Sequence, residues 1–151
     1  MKHAFFFFPL VLTFLLYAPF GYAEFSDRIQ VPVQEVWEAA HEAITLYGID
    51  KEEPEKGKLR TEWIEERVVR SSGILKKITK TTYVLNYRME IQISQVEEGW
   101  SLVTVRGRYR QKALDAPMAA RWKPARPGRD LEREFFQKIL IKLENKRRAR
   151  A

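Results

Sequence analysis

Arginines on two neighbouring strand patterns are the side chains best suited to chemistry in this sequence. Arg106, Arg108 and Arg110 occupy alternate positions of WSLVTVRGRYR, so on a strand they point to one face, about 7 Å apart. The register that the preceding turn favours places Arg88 opposite Arg108. A like-charge pair in that position is destabilising unless an anion lies nearby. These residues therefore indicate an anion-binding patch of Arg88, Arg108 and Arg110.

Two interpretations of this arginine patch are open. In the first, it binds an anionic lipid head group, a surface polysaccharide or an acidic protein partner. In the second, it is ordinary solvated surface, where salt screens the charges and an acid such as Glu62 on a neighbouring strand relieves the repulsion.

A tryptophan lies on the same predicted face, near the turn. Val96 and Trp100 together fit a protein-binding surface, because aromatic side chains are enriched in the cores of interfaces. The segment 113–129 carries Met118 and Trp122 and could instead cover that surface, and a covered patch carries no such meaning. Trp100 and Trp122 thereby join the candidate binding residues.

Catalytic and metal-binding patterns are weak throughout the sequence. His41 flanks a helix pattern and has no neighbour suited to a proton relay. Adjacent acids such as Glu52-Glu53 point apart on a strand, and the chain has no cysteine, which excludes thiolate metal sites. Because a glycine-rich phosphate loop and a nucleophile elbow are also missing from the sequence, we predict a non-enzymatic protein without catalytic residues, cofactor or metal.

The strands that carry the arginines are the clearest in the chain. TYVLNYRMEIQIS and WSLVTVRGRYR both alternate, and Glu97-Glu98-Gly99 lies close to their junction. A two-residue loop would mix apolar and polar faces, whereas a three-residue turn with Gly99 in the left-handed conformation keeps the apolar face continuous. That turn pairs Val96 with Trp100, Ile93 with Val103, Ile91 with Val105, Met89 with Gly107 and Tyr87 with Tyr109.

Two amphipathic patterns predict the helices that cover this sheet. The first begins after Pro32 and ends at Gly48, a glycine suited to a helix C-terminus. The second begins after Asp130, a typical N-cap residue, and its apolar stripe continues to Leu143. Leu59, Thr61 and Trp63 share one face of a further strand, which leads us to expect Trp37 and Trp63 to meet in the core.

The remaining segments complete an α+β order. Residues 25–31 predict a short edge strand, 66–80 either a mobile loop or a hairpin, and 113–129 largely loop. The order is strand, helix, three or more antiparallel strands, helix. Two apolar stripes and one apolar sheet face predict a two-layer, helix-grip-like β-α-β-β-β-α fold with both helices on one face.

The first 23 residues predict an export signal. Lys2 and His3 precede the uncharged run Ala4–Ala18, and small residues end at Ala23, where cleavage is expected. An uncleaved anchor is the alternative, because the run to Ala23 is about long enough to span a bilayer. Cleavage would leave residues 24–151 as one domain with a basic C-terminal tail, periplasmic or secreted. The net charge of +7 favours acidic partners, but export argues against nucleic acid.

The run VPVQEVWEAAHEAITLYGI, followed by GKLRTEW, resembles the helix-grip domains of the outer-membrane barrel-assembly lipoprotein C family, the BamC-like proteins. Arg88, Trp122 and the 131–143 helix also fit that pattern. The chain departs from it in lacking the lipidated cysteine that follows the signal. The shared residues are Val36, Trp37, Ala39, Gly48, Gly57, Leu59, Thr61 and Trp63.

The resemblance implies a non-enzymatic accessory or scaffold protein of the Gram-negative cell envelope. Such a protein would work through a protein partner, and the resemblance suggests a link to outer-membrane assembly. A different hypothesis is a periplasmic carrier of a lipid or other apolar ligand, held between the sheet and the closing helix. The aromatic side chains there would either line that space or fill it. They are Tyr83, Tyr87, Tyr109, Phe135 and Phe136.

Overall fold

The computed structural model describes residues 21–74, 77–115 and 121–150. Within these ranges the chain forms a seven-stranded antiparallel sheet and two α-helices. The elements are β1 (Gly21–Ile29), α1 (Val33–Thr45), β2 (Ile49–Glu53), β3 (Lys58–Thr61), β4 (Ile64–Ile74), β5 (Lys77–Glu97), β6 (Trp100–Ala113), β7 (Lys123–Pro124) and α2 (Leu131–Arg150). The strand order is β1-β6-β5-β3-β2, with β4 paired to β5 and β7 to β6.

The central β5–β6 pair has the predicted register. Tyr87 lies opposite Tyr109, and every other predicted pair from Met89 to Ile93 is present. Gly99 has a φ of 74°, the left-handed conformation that the turn was expected to need. The predicted three-residue turn is wrong at its closing pair, because Glu97 rather than Val96 lies opposite Trp100 and only Glu98 and Gly99 connect the strands. An irregularity between Gln95 and Glu97 absorbs the extra residue and preserves the register beyond it.

The basic segment 66–80, left open between loop and hairpin, forms a hairpin. Strand β4 pairs with β5 from Ile64–Tyr87 to Ile74–Lys77. The pairing of β5 with β6 reaches only as far as Tyr83–Ala113. Beyond that point β4 and β5 continue as a two-stranded ribbon.

Both helices begin and end where local chemistry favours it. Helix α1 follows Pro32, and Gly48 just beyond its end has a φ of 74°. At α2, the backbone N–H of Arg133 donates to Asp130 Oδ1 over 3.2 Å, so Asp130 caps the helix as predicted. Helix α2 continues past Leu143 to Arg150, which makes the basic tail part of the helix.

The core lies between the two helices and the inner face of the sheet, which confirms the predicted α+β, helix-grip-like class. Both helices contribute to one buried cluster, and Trp37 is partly buried against it. Its fully buried members include Val36, Ile44, Leu59, Met89, Ile91, Val103, Val105, Tyr109, Phe135, Phe136 and Ile139.

The prediction that Trp63 meets Trp37 in the core is wrong. Strand β3 ends at Thr61, whose hydroxyl accepts a hydrogen bond from the backbone N–H of Met89 over 3.0 Å. The strand pattern resumes at Ile64, so two residues rather than one separate consecutive inward-facing positions. This break turns Trp63 to the outer face of the sheet, the face away from the helices.

Strand β1 starts earlier than the predicted 25–31 and ends earlier too. It pairs with β6 at the sheet edge from Gly21–Tyr109 to Ile29–Ser101. The expected cleavage point after Ala23 falls within this strand, while residues 1–20 of the predicted signal lie outside the described ranges. In the described part of the chain, neither helix has the length and apolarity needed to cross a bilayer.

Candidate functional site

The predicted binding residues divide between two places on the outer face. Arg88 and Arg108 are direct cross-strand partners, as predicted, and Arg110 lies one outward position along β6. Trp122 joins them, with its ring centroid 4.5 Å from the Arg110 guanidinium carbon. Trp100 lies at the opposite end of β6, about 30 Å away by strand rise. The structure therefore brings four of the five together.

Cations and tryptophan rings alternate across this part of the outer face. The Arg88 and Arg110 guanidinium carbons lie 4.8 and 4.5 Å from the Trp63 ring centroid. On the other side of Arg110, the Trp122 ring also carries Lys112, whose Nζ is 4.8 Å from its centroid. Such cation–π contacts hold the long side chains in fixed positions.

An acid does relieve the Arg88–Arg108 repulsion, but it is Asp50 rather than Glu62. Asp50 Oδ2 lies 3.6 Å from Arg88 Nη1 and 2.7 Å from Arg60 Nη2. Partial burial and the charges of Arg60 and Arg108 lower the pKa of Arg88, while Asp50 opposes that shift. The Glu62 side chain instead lies close to Gly48.

The Trp100 corner is separate from the arginine patch. A small pocket of about 110 Å³ is lined there by Arg28, Val96, Glu97 and Trp100. Because Trp122 contacts Arg110 at the far end of β6, the described part of the 113–129 segment does not cover Trp100. Residues 116–120, including Met118, lie outside the described ranges.

A larger cleft opens where the chain enters α2. It has a volume of about 430 Å³ and lies between the start of β1, strand β6 and the segment that leads into the helix. We call it the α2 cleft. Its lining residues are Tyr22, Ala23, Tyr109, Arg126, Pro127, Gly128, Arg129, Asp130 and Glu132.

The α2 cleft contains a buried polar pair. The Tyr109 hydroxyl donates a hydrogen bond to Glu132 Oε1, and the two residues are 0% and 3% exposed. Burial and the adjacent carboxylate raise the pKa of Tyr109, so the phenol keeps its proton at neutral pH. Among the described residues, no cation pairs with Glu132. Glu132 lies in the first turn of α2, where the positive end of the helix dipole stabilises a negative charge.

Gly107 leaves the space that this pair occupies. A Cβ at Gly107 would lie 2.1 Å from both Glu132 Oε1 and the Tyr109 hydroxyl oxygen. A side chain at position 107 would therefore displace one or both groups. The glycine is required by close approach, because its φ lies outside the left-handed region.

The charged rim of the cleft is mostly paired. Arg129 Nη2 lies 3.0 Å from Glu66 and Arg129 Nε 3.3 Å from Glu134. Asp130 pairs with Arg133 over 3.2 Å. The Arg126 side chain is exposed, and its carbonyl accepts a hydrogen bond from the Arg70 guanidinium over 3.3 Å.

A second, more apolar cleft shares a wall with the first. It has a volume of about 270 Å³. Pro127, Gly128 and Arg129 line both clefts, so this short segment separates them. The remaining lining residues of the second cleft are Glu66, Val68, Leu85 and Leu131.

Most of the candidate aromatic side chains are part of the packed core between the helices and the sheet. Four of the five candidate aromatics are buried, and Phe135 packs on Tyr47 with ring centroids 5.0 Å apart. Tyr87 and Tyr109 lie 6.1 Å apart, centroid to centroid. Tyr83 is only partly buried, 5.6 Å from the Arg70 guanidinium carbon. Among the described residues, the two clefts beside α2 offer space for a ligand at the margin of this core.

His41, the histidine considered for a proton relay, lies at the surface of α1 beside β2. His41 Nε2 lies 3.6 Å from Glu52 on a half-exposed surface. No group of three or more metal-ligating side chains occurs among these residues.

Sequence reasoning missed Glu132, Trp63 and Tyr22. Glu132 has no distinctive signal of its own in the sequence, although an interior strand glycine such as Gly107 is a signal of close approach. Trp63 was assigned to the core by simple alternation. Tyr22, which lies 5.6 Å from the Arg108 guanidinium carbon, was read as part of the leader.

No protein-family model and no curated protein matches this sequence. Solved structures show a distant likeness. A protein of Thermus thermophilus is 12% identical over 86% of this chain and 99% of its own, with a TM-score of 0.32. The Zhui aromatase/cyclase of a Streptomyces species is 12% identical over 82% of this chain and 86% of its own, with a TM-score of 0.33. Ara h 8.0201 is 12% identical over 83% and 97%, with a TM-score of 0.33. Likeness of this extent carries nothing about function.

Proposed function

We propose that this protein binds a small, mainly apolar molecule in the α2 cleft, as a carrier rather than an enzyme. The observation that supports the proposal is the buried Tyr109–Glu132 pair in a cleft of about 430 Å³. Small-molecule sites typically occupy a few hundred cubic ångströms and combine mainly apolar walls with a few buried polar groups. The α2 cleft has both properties.

The cleft chemistry indicates how such a ligand would lie. Pro127 offers apolar surface, to which Tyr22 and Ala23 add as long as the leader is attached, while Glu132 is a buried hydrogen-bond acceptor. A ligand with a hydroxyl or ammonium group at one end would donate to Glu132, because a buried acceptor gains most from a donor that replaces water. The aliphatic body would follow the wall at Pro127.

Export remains part of the proposal. Cleavage after Ala23 places the carrier in the periplasm or outside the cell, and the BamC-like resemblance makes association with the outer membrane an expectation. Cleavage there would also remove Tyr22 and Ala23 from the cleft wall. The Tyr109–Glu132 pair and the α2 side of the cleft would remain, more open to solvent.

A thermal-shift series tests the carrier proposal. Long-chain alcohols, amines and fatty acids would be titrated against the wild type and Glu132→Gln. A ligand present at about a hundred times its Kd stabilises the folded protein by about 2.7 kcal/mol, so we expect a higher Tm with the alcohols or amines. Glu132→Gln should weaken that preference. The absence of any shift across the panel would contradict the proposal.

The accessory-protein hypothesis has one specific observation in its favour, the Trp100 corner, which the described part of the 113–129 segment leaves uncovered. Val96 is exposed there beside Trp100 and a small pocket. A protein partner in the cell envelope could insert a side chain at this point. Crosslinking in envelope fractions should trap a reproducible partner for the wild type and for Trp122→Ala, but not for Trp100→Ala. Equal trapping by all three proteins would place the contact elsewhere.

A further inference from the structure

One corner of the outer face combines exposed aliphatic and basic side chains. Val69 lies opposite Thr82 on β5, and the Leu114 N–H donates to the Thr82 carbonyl over 2.9 Å. Val69, Leu114 and the nearby Trp122 are 61%, 42% and 37% exposed. Large apolar side chains that share one exposed region indicate an interaction surface more strongly than scattered ones do.

Cations surround these apolar side chains. In the adjacent outward row on one side of Val69, Arg67 and Lys112 flank Val84. In the adjacent outward row on the other side, Lys80 lies opposite Ser71. Among the described residues, none of these three cations lies within 4.0 Å of a carboxylate. The nearby acids are Asp115, which accepts a hydrogen bond from the Thr82 backbone N–H over 2.7 Å, and Glu65, one row further along.

We propose that this basic–apolar corner, consisting of Arg67, Val69, Lys80, Lys112, Leu114 and Trp122, binds the surface of an anionic lipid bilayer. A bilayer offers a negatively charged head-group layer and an apolar interior within a short distance of each other. Lysine and arginine gain energy near the first, while aliphatic side chains and tryptophan favour the boundary between the two. The corner presents both kinds of side chain on one sheet face.

The geometry favours a bilayer over a soluble polyanion. Sugars and nucleobases bind tryptophan by stacking on its ring, but Arg110 and Lys112 already lie over the Trp122 ring at 4.5 and 4.8 Å. Val69 and Leu114 would also gain nothing from a polysaccharide or a nucleic acid. The exposed Val69 and Leu114 therefore favour a lipid bilayer over a polysaccharide or a nucleic acid as the binding partner of the corner.

This surface is distinct from the α2 cleft. None of the six corner residues lines that cleft, and β6 presents Lys112 outward while Tyr109 is buried in the core. Membrane attachment through the corner and ligand binding in the cleft can therefore fail independently.

Vesicle cosedimentation tests the proposal. The exported protein, with its N-terminus established by intact mass, would be mixed with vesicles of phosphatidylglycerol and phosphatidylcholine, and separately with pure phosphatidylcholine. We expect binding to the anionic vesicles only, weakening as salt is raised. The double variant Arg67→Glu with Lys80→Glu should lower partitioning more than about tenfold. Val69→Ser with Leu114→Ser should lower it by a smaller factor at every salt concentration.

A matched variant separates the corner from the basic end of α2. Arg147→Glu with Arg148→Glu makes the same charge change and should leave vesicle binding within about twofold of the wild type. Circular dichroism and thermal melts confirm that each variant folds. The proposal is overturned if the wild type ignores anionic vesicles or if both charge-reversed proteins lose binding equally. It is also overturned if the corner variants abolish only heparin retention or self-association on gel filtration.

Discussion

The inner and outer faces of the sheet use aromatic side chains in different ways. On the inner side, Tyr109 of β6 is buried in one cluster with Phe135 and Phe136 of α2. On the outer face, Trp63 and Trp122 carry cations over their rings at 4.5 to 4.8 Å. Strand alternation decides which face an aromatic side chain lies on. Its neighbours then decide its role: packed apolar side chains make it part of the core, and arginine or lysine side chains make it a cation–π partner.

The largest expected loss of stability comes from a substitution in the buried core on the inner side of the sheet. Phe136→Ala should lower the free energy of unfolding by about 3–5 kcal/mol, because it removes a buried ring and leaves a cavity. Trp122→Ala on the outer face should cost less than about 1 kcal/mol, the size of an exposed cation–π contact. Denaturant unfolding of both variants measures the difference. Similar losses would show that the two faces are equally packed.

The second prediction concerns Gly107, where the Tyr109 and Glu132 side chains lie close to the backbone at the edge of the α2 cleft. Gly107→Ala should destabilise the fold by about 1–3 kcal/mol, because its Cβ overlaps Tyr109 and Glu132. Gly128→Ala is the matched control, since a Cβ at Gly128 meets nothing within 4 Å. A neutral Gly107→Ala in chemical unfolding would contradict the position of the Tyr109–Glu132 pair.

The pH dependence of stability reports the same pair. The pKa of Tyr109 is raised in the folded protein, whereas an unfolded tyrosine titrates near pH ~10. Above that pH the unfolded state loses this proton first, so the free energy of unfolding falls by about 1.4 kcal/mol per pH unit for this group. Below pH ~10 the contribution is fully present.

Tyr109→Phe should remove this part of the alkaline loss. Burial also raises the pKa of Tyr87, so part of the loss of stability above pH ~10 should remain in this variant. The measurement is urea unfolding on both sides of pH ~10. An unchanged slope in Tyr109→Phe would mean that Tyr109 titrates normally.

The last prediction, with a smaller expected effect than Phe136→Ala, concerns Trp63. If it supports Arg88 and Arg110 on the outer face, Trp63→Ala should cost about 1–2 kcal/mol, the sum of two partly exposed cation–π contacts. Trp63→Phe keeps an aromatic face and should cost less. A loss like that of Phe136→Ala would return Trp63 to the core.

Much of the sheet could be predicted from the sequence because its determinants are local. The alternation in β5 and β6, together with the glycine at position 99, suffices to establish the register of the two strands. This register extends from the Tyr87–Tyr109 pair to the Ile93–Val103 pair. The Arg88–Arg108 pair follows directly from that register. The cap at Asp130 and the end of α1 near Gly48 likewise depend on neighbouring residues only.

The candidate cleft could not be predicted because its contacts are distant in sequence. Tyr109 and Glu132 come together only after the chain has passed through 113–129, whose path has no periodicity. Trp63 was misplaced because the break after Thr61 depends on the backbone N–H of Met89. Trp100 and Trp122 were combined into one patch for the same reason, since only the path of 121–124 separates them.

Native mass spectrometry of the purified protein tests the carrier proposal most directly. Gly128 lines both clefts and has open space around it, so Gly128→Trp should fill the α2 cleft without disturbing the core. We predict that the wild type and Gly128→Ala retain a small, mainly apolar molecule that Gly128→Trp does not. A wild type without bound ligand, or a Gly128→Trp protein that carries the same molecule, would contradict binding in this cleft.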